Sequence, residues 1–309
     1  MSKIKYLALS GGGVFGYGEV GALKELINLY GDLIDLDNIY GVSVGSMVGA
    51  LYGVGYNIDE IEKIVFEMNF GFLIRDTKFA YYKLYEKYGM YEAKKLEDEI
   101  ERLIQIKTNI KFCTFNQIKK NLTIISTNLN QQCPKIFDRE QTPHMIISKA
   151  IRMSITYPGI MQPVWFEGNL YSDGGLTINY PITLIEKLGK LSQTIGITFA
   201  GFNDNIDGTM KDSLGINNVI DYICALGLTM NRATYIAQIT PTLLKRSIII
   251  KITENIASMQ LDLTIEQKRF IYDCGVNAVK EQSEGILGPS IIINAPMEIE
   301  EIIKSIEEL

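Results

Sequence analysis

Apolar residues fall into two alternating patterns along the chain. Short apolar runs, typical of buried strands, occur at residues 4–9, 36–42, 122–127, 195–200 and 247–253. Between the first two runs, apolar residues recur at the spacing of one helix face, at Val20, Leu23, Leu26, Ile27 and Tyr30. Asn57 and Glu60 have the spacing of a capping box at the start of a later helix. Strands separated by helices predict a three-layer α/β/α fold with a largely parallel central sheet.

The second half of the chain is mainly helical in pattern. Residues 216–236 and 264–282 show helical spacing, and residues 299–309 predict a terminal amphipathic helix. The longest apolar stretch, 219–230, is interrupted by Asp221 and is shorter than the ~18 residues that a membrane-spanning helix needs. The sequence contains no Pro/Ser linker, low-complexity segment or repeat. We therefore predict a core at residues 1–205 and a helical extension at 206–309 packed on it, together forming one continuous domain.

Composition narrows the class of protein. The 309 residues are 47% apolar and carry a net charge of −6, which argues against a nucleic-acid partner because such binders usually present a basic face. The four cysteines show no C-x-x-C spacing and the N-terminus shows no secretory signal, so we expect buried free thiols and a cytoplasmic location. No cluster of His, Cys or carboxylate residues has metal-ligand spacing, and we expect neither a metal nor another cofactor.

The segment Gly41-Val-Ser-Val-Gly45 lies between a predicted strand and a predicted helix. In that context the G-x-S-x-G pattern indicates a serine on a sharp turn, with its hydroxyl projecting at a helix N-terminus. Glycines are needed on both sides because larger side chains would collide there. The pattern alone also fits an ordinary Gly-Ser-Gly turn. The strand and helix around it favour Ser43 as a nucleophile.

A glycine-rich loop, Gly11-Gly-Gly-Val-Phe-Gly16, follows the first predicted strand. Consecutive glycines allow backbone N–H groups to point into one cavity, as an oxyanion hole requires. The loop also fits the G-x-G-x-x-G dinucleotide pattern, which calls for an acidic residue at the C-terminal end of the second strand. Asp35 and Asp37 lie instead at the start of that strand, and Ser43 follows its end. These positions favour a hydrolase over a nucleotide site.

A third motif, Asp173-Gly174-Gly175, would by itself predict only a turn. The single histidine, His144, bears on the mechanism. In α/β-hydrolases the histidine of a Ser-His-Asp triad comes last in the chain, whereas His144 precedes Asp173. A structural role for His144 is therefore favoured. The remaining option is a carboxylate that takes the serine proton directly.

The glycine-rich loop, the G-x-S-x-G turn (the elbow) and the later Asp-Gly-Gly, in this order along the chain, resemble the patatin-like phospholipases. The segments Ser148-Lys-Ala-Ile-Arg-Met-Ser154 and Asn179-Tyr-Pro181 also resemble the family's stretches before and after its catalytic aspartate, and the likeness covers about residues 4–205. The resemblance implies a phospholipase A-type lipid acyl hydrolase or esterase that acts through an acyl-enzyme. Its implied site comprises the nucleophile Ser43, the base Asp173, elbow glycines Gly41 and Gly45, and oxyanion-hole N–H groups of Gly12 and Gly13, with Gly11 as a further candidate. Two positions depart from the pattern: Phe15 stands where members usually carry Arg or Lys, and Ser10 where some carry Asp.

The implied partner is a phospholipid or another acyl lipid, with transient contact to a membrane surface. Residues 75–95 combine six basic and three acidic residues with many aromatic ones, a composition that suits a membrane-interfacial surface or a lid. We favour the simpler interpretation, in which this segment packs its aromatic side chains on the sheet. Two other classes of protein stay open. One is a nucleotide-binding enzyme that uses the glycine loop, and the other is a non-catalytic lipid-binding protein of the same fold.

Overall fold

The computed structural model describes residues 3–75, 79–200 and 215–288. Its strands, numbered in chain order, are β1 (Ile4–Leu9), β2 (Ile34–Val42), β3 (Gly89–Tyr91), β4 (Asn121–Asn128), β5 (Cys133–Phe137), β6 (Gly159–Met161), β7 (Val164–Phe166), β8 (Asn169–Asp173), β9 (Thr194–Phe199) and β10 (Ser247–Ile250). Its helices are α1 (Gly16–Tyr30), α2 (Val44–Gly53), α3 (Ile58–Glu67), α4 (Phe70–Ile74), α5 (Ala80–Lys87), α6 (Lys94–Thr108), α7 (Ile147–Ser154), α8 (Ile182–Lys187), α9 (Val219–Gln238), α10 (Pro241–Leu244) and α11 (Ile265–Leu287).

The central sheet has the strand order β10-β9-β1-β2-β4-β8-β7, and β5 pairs separately with β4. The strands from β10 to β4 run parallel, whereas β5 and β8 are antiparallel to β4 and β7 is antiparallel to β8. Every residue of β9 and β10 is buried, as expected of parallel strands covered on both faces. The predicted three-layer fold with a largely parallel sheet is confirmed.

Successive side chains of β1 enter cores on opposite faces of the sheet, because strand side chains alternate between faces. Leu7 and Leu9 belong to the large core that contains residues of α1, α2, α3, α6, α7 and α11. Ala8 belongs to the smaller core, formed with residues of α8 and α10. The predicted capping box starts α3, where the Glu60 N–H donates to Asn57 Oδ1 at 2.9 Å and the Asn57 N–H donates to Glu60 Oε2 at 2.8 Å.

The C-terminal part of the chain contributes to the same sheet. β10 pairs in parallel with β9, and α11 packs along α1. The boundary proposed at residues 205 and 206 and the terminal pattern at 299–309 both lie outside the described residues. The division into a core and an extension therefore stays a prediction.

Two sequence-based expectations need correction. The aromatic side chains around α5 do not pack on the sheet: Tyr81, Tyr82 and Tyr85 are 59–86% exposed, and α5 has no buried residue. The eight residues of α5 include three tyrosines, and so short a helical pattern does not specify whether these side chains contact the sheet or solvent. Of the four free cysteines, only Cys113 is buried and the others are partly exposed.

Candidate active site

Ser43 occupies the sharp turn between β2 and α2. Its backbone has φ 52° and ψ −126°, a region that costs a residue with a side chain about 1–3 kcal/mol. The flanking glycines permit the turn. A Cβ on Gly41 would lie 2.4 Å from the Gly45 carbonyl oxygen, and a Cβ on Gly45 would lie 2.6 Å from the Ser10 carbonyl oxygen. The strand, turn and helix that give the G-x-S-x-G pattern its meaning are therefore all present.

Hydrogen bonds on both sides hold this strained backbone. The Ser43 N–H donates to Ser154 Oγ at 2.9 Å, and Ser154 Oγ donates in turn to the Ile125 carbonyl in β4 at 2.5 Å. Ser46 Oγ donates to the Ser43 carbonyl at 2.6 Å. Ser154, at the end of α7, is fully buried. It is a positioning residue whose contact with Ser43 the motif spacing could not show.

Asp173 ends β8 with its carboxylate beside Ser43. Ser43 Oγ donates to Asp173 Oδ2 at 2.7 Å, and the Gly175 N–H donates to Asp173 Oδ1 at 2.8 Å. Only 2% of Asp173 is exposed. Burial raises the pKa of Asp173 from 3.8 to about 6, against a smaller lowering by the hydrogen bonds from Ser43 and Gly175. A carboxylate with this pKa is ionised at neutral pH and binds a proton more readily than an ordinary aspartate, which suits a general base.

The glycine loop borders the same serine. A Cβ on Gly11 would lie 3.2 Å from the Ser43 Cβ. The Gly11 N–H already donates to the Asn179 carbonyl at 2.9 Å. By contrast, neither the Gly12 nor the Gly13 N–H donates to a group in the described part of the chain. The Gly12 and Gly13 N–H groups are thus not used by the described residues, whereas Gly11 joins the loop to the segment after Asp173.

Apolar packing and a backbone hydrogen bond hold the glycine loop in place. The Phe15 ring is buried with its centroid 5.6 Å from that of Phe199, and a Cβ on Gly12 would lie 2.4 Å from the Phe199 ring. Gly13 has φ 57°, and the Val14 N–H donates to the Ser258 carbonyl at 2.8 Å. Phe15, at the position where the resembled family carries a cation, thus holds the loop through apolar contact.

A largely apolar cavity opens beside the Ser43–Asp173 pair. Its wall includes both residues, the loop glycines and side chains from α2, α3, α4 and α6, among them Met47, Val48, Val65, Phe70, Ile74 and Leu96. The C-terminal part of the chain adds Leu228 and Asn231 from α9, and Ser258, Met259 and Leu261. No local motif marks these C-terminal residues, because long-range packing brings them to the site.

The other candidate residues lie away from this site. Asp35 is near the start of β2, where it pairs with Lys3 at 3.5 Å, and Asp37 lies 4.0 Å from Lys120. Both lie in the N-terminal half of β2, whereas Ser43 follows its C-terminal end. Neither therefore occupies the C-terminal position that a dinucleotide-binding acid takes. His144 is exposed in the loop before α7 and does not line the cavity.

The chain thus combines an α/β/α fold with a serine and a carboxylate in the wall of an apolar cavity. Residues 7–185, more than half of the chain, match the family model of the patatin-like phospholipases, and the chain belongs to that family.

The chain is also similar to known viral proteins in sequence and to a solved structure in fold. The chain is 58% identical over 281 residues to "Uncharacterized protein R571" of Acanthamoeba polyphaga mimivirus, covering 91% of this chain and 94% of that protein. It is 30% identical over 190 residues to "Probable lipid hydrolase 463L" of Invertebrate iridescent virus 6, covering 59% of this chain and 63%, just under two thirds, of that relative. The crystal structure of VipD from Legionella pneumophila shares the fold, with a TM-score of 0.53 and 14% identity over 91% of this chain and 67% of that one.

Among residues 3–75, 79–200 and 215–288, we find no helix with the length and apolar character needed to cross a lipid bilayer.

Proposed function

We propose that this protein hydrolyses fatty-acyl esters of lipids through a Ser43–Asp173 dyad and an acyl-enzyme intermediate. The principal support is the 2.7 Å hydrogen bond from Ser43 Oγ to Asp173 Oδ2, which lies in the wall of an apolar cavity. A serine hydroxyl is a weak nucleophile until an adjacent base can take its proton. The buried carboxylate occupies the position of that base, and the cavity offers apolar surface to an acyl chain.

In the proposed reaction, Ser43 Oγ attacks the ester carbonyl carbon and its proton passes to Asp173 Oδ2. The N–H groups of Gly12 and Gly13 stabilise the oxyanion, and each such donor is worth about 10²–10³ in rate. When the intermediate collapses, Asp173 returns the proton to the leaving alcohol. Water then attacks the acyl-enzyme, and the same carboxylate accepts and returns a proton as the fatty acid leaves.

The site gives less support to the other two classes of protein. A dinucleotide site would need an acid at the C-terminal end of β2, and Ser43 follows that end instead. A protein that only bound lipid would have no need for a strained serine hydrogen-bonded to a carboxylate of raised pKa, since strain and perturbed pKa values concentrate at catalytic sites.

We extend the proposal to contact with a lipid surface through α5 and its flanks. Phe79, Tyr81, Tyr82, Tyr85 and Tyr88 are each at least 59% exposed, and the segment also carries Lys83 and Lys87. Aromatic side chains favour the membrane interface, and lysines favour anionic headgroups. α5 leads directly to β3, which pairs with β6, and Met161 of β6 lines the cavity. β3 and β6 thus connect this surface to the wall of the proposed site.

A panel of phospholipids and neutral acyl lipids, incubated with the protein and read by mass spectrometry, tests the activity. We expect release of free fatty acid by the wild type and none by Ser43→Ala. Ser258→Ala is the matched control, because Ser258 also lines the cavity but contributes only its backbone carbonyl to the loop. Fatty-acid release that persists in Ser43→Ala, or binding of NAD in place of turnover, would reject the proposal.

A further inference from the structure

One face of α9 packs on the turn that follows Asp173, and its polar residues are spaced at Asn231, Thr234 and Gln238. Gln238 Nε2 donates to the Thr177 carbonyl at 2.8 Å and docks the helix on the turn. Thr234 Oγ1 has the Met230 and Asn231 backbone carbonyls of its own helix at 3.0 Å, with the Gly175 carbonyl at 3.5 Å. The third residue of this face, Asn231, lines the cavity, and no such bond accounts for its side-chain oxygen.

Asn231 is 6% exposed, and its side-chain oxygen Oδ1 is buried with no hydrogen-bond partner among the described residues. Leaving a buried acceptor unpaired is unfavourable, so we expect this oxygen to bind a partner. Asn231 lines the cavity that contains Ser43 and Asp173. An atom built as a Cβ on Gly175 would lie 2.6 Å from Asn179 Oδ1 and 3.1 Å from both Asn231 Nδ2 and Asp173 Oδ1. The two amides and the carboxylate therefore border the same small space.

Hydrolysis of an acyl-enzyme requires a water molecule at this carboxylate. A water in an otherwise apolar cavity is held only where it has about 2–4 polar partners. Once Ser43 is acylated its Oγ no longer donates a hydrogen bond, so it cannot serve as one of those partners. Asp173 supplies one. Asn179 borders the same space but is held by the bond from its Nδ2 to the Gly11 carbonyl, whereas Asn231 Oδ1 has no partner among the described residues. Because the terminal torsion of an asparagine is broad, rotation of the Asn231 amide brings this oxygen to the shared space in place of Nδ2.

We propose that Asn231 is a further catalytic residue that binds the water of deacylation, an inference that rests on the proposed acyl-enzyme. One hydrogen of the water donates to the Asp173 carboxylate and the other to Asn231 Oδ1, which leaves an oxygen lone pair directed at the acyl carbon. The water oxygen bonds to that carbon as its first proton passes to Asp173. The carbon–Oγ bond then breaks, Ser43 Oγ takes the proton back from Asp173, and the fatty acid leaves with the second hydrogen on its new oxygen.

Competition between water and methanol tests this role. Methanol has one hydroxyl hydrogen, which goes to Asp173, so methanolysis has no second hydrogen for Asn231 to hold. The assay supplies a nitrophenyl acyl ester and added methanol. In Asn231→Leu we expect the ratio of methyl ester to free fatty acid to rise about tenfold, because hydrolysis loses about one hydrogen bond to the water and methanolysis loses none. The rate of nitrophenol release in the acylation burst should stay within about twofold of the wild-type rate, because Asn231 takes no part in acylation.

The controls separate chemistry from packing. Thr229→Val, on the exposed face of α9 two residues away, should leave the product ratio and the burst unchanged. Gln238→Leu loosens the docked face, so hydrolysis and methanolysis should fall together with an unchanged ratio. Asn231→Leu should melt at or above the wild-type temperature, because a side chain whose buried oxygen has no hydrogen-bond partner among the described residues is replaced by an apolar group.

An unchanged product ratio in Asn231→Leu would overturn the role of Asn231, and Asn231→Ala provides the same ratio should the leucine variant fold poorly. The absence of any burst in the wild type, or a burst that survives Ser43→Ala, would instead overturn the acyl-enzyme itself.

Discussion

Replacing Asp173 with asparagine is expected to stabilise the fold while removing the activity. Asp173 is 2% exposed, and its pKa is raised from 3.8 to about 6. Because the folded protein has the higher pKa, it binds more protons than the unfolded chain between these two values. The free energy of unfolding therefore falls as the pH rises through this window and is constant above it. At about 1.36 kcal/mol for each unit of pKa, Asp173 lowers stability by about 3 kcal/mol at pH 7.

Asparagine is neutral at every pH and escapes this loss. Relative to the wild type, Asp173→Asn should gain most of those ~3 kcal/mol between pH 4 and pH 7, measured by urea unfolding at both pH values. Its kcat on a nitrophenyl ester should fall by about 10²–10⁴-fold, because an amide cannot accept the serine proton. Asp32→Asn, at an exposed aspartate, is the matched control and should change neither quantity.

Two results would refute this reasoning. A stability difference between Asp173→Asn and the wild type that is the same at pH 4 and pH 7 would mean that the carboxylate is not desolvated in the fold. A variant that retained most of its kcat would mean that another group accepts the serine proton.

Three further predictions concern the loop, the base and the surface. Gly13→Ala should lower kcat by about 10²-fold or more, since Gly13 has φ 57° and a Cβ there would lie 2.1 Å from a backbone carbonyl oxygen, whereas Gly31→Ala, with nothing within 4 Å, should have no effect. His144→Ala should leave kcat within a few-fold of wild type. In both proteins kcat should rise with pH through about 6 as the buried Asp173 carboxylate ionises, and loss of that rise in the variant would indicate a histidine base. Changing Lys83 and Lys87 to Glu should weaken hydrolysis on anionic vesicles and spare a soluble short-chain ester, and equal loss on both would instead indicate a packing role.

The central strands could be predicted because a parallel strand buried on both faces is an unbroken apolar run. The run at 36–42 became β2 (Ile34–Val42), and the run at 247–253 became β10 (Ser247–Ile250). β3, β6 and β7 have three residues each, too few for any period to be read. The exposed aromatic residues of α5 were wrongly expected to pack on the sheet, because composition does not say which neighbours a short helix finds.

The residues of the candidate active site likewise include some that the sequence predicts and others that it does not. Ser43 and the loop glycines could be identified because their role depends on a local turn, which leaves a local pattern. The meeting of Ser43 with Asp173, 130 residues later, was implied by the family resemblance and by no spacing. Asn231 and Ser258 carry no local signal. They reach the cavity only because the C-terminal part of the chain packs on the sheet and on the turn after Asp173.

Labelling with a fluorophosphonate probe tests the central claim most directly, because the probe reacts with a serine only where a base and an oxyanion hole activate it. We predict one label per wild-type chain, located by peptide mass spectrometry on Ser43. Labelling should be lost in Ser43→Ala, strongly slowed in Asp173→Asn and retained in Ser258→Ala. A label that persists in Ser43→Ala, or that reacts at the wild-type rate in Asp173→Asn, would contradict the Ser43–Asp173 dyad.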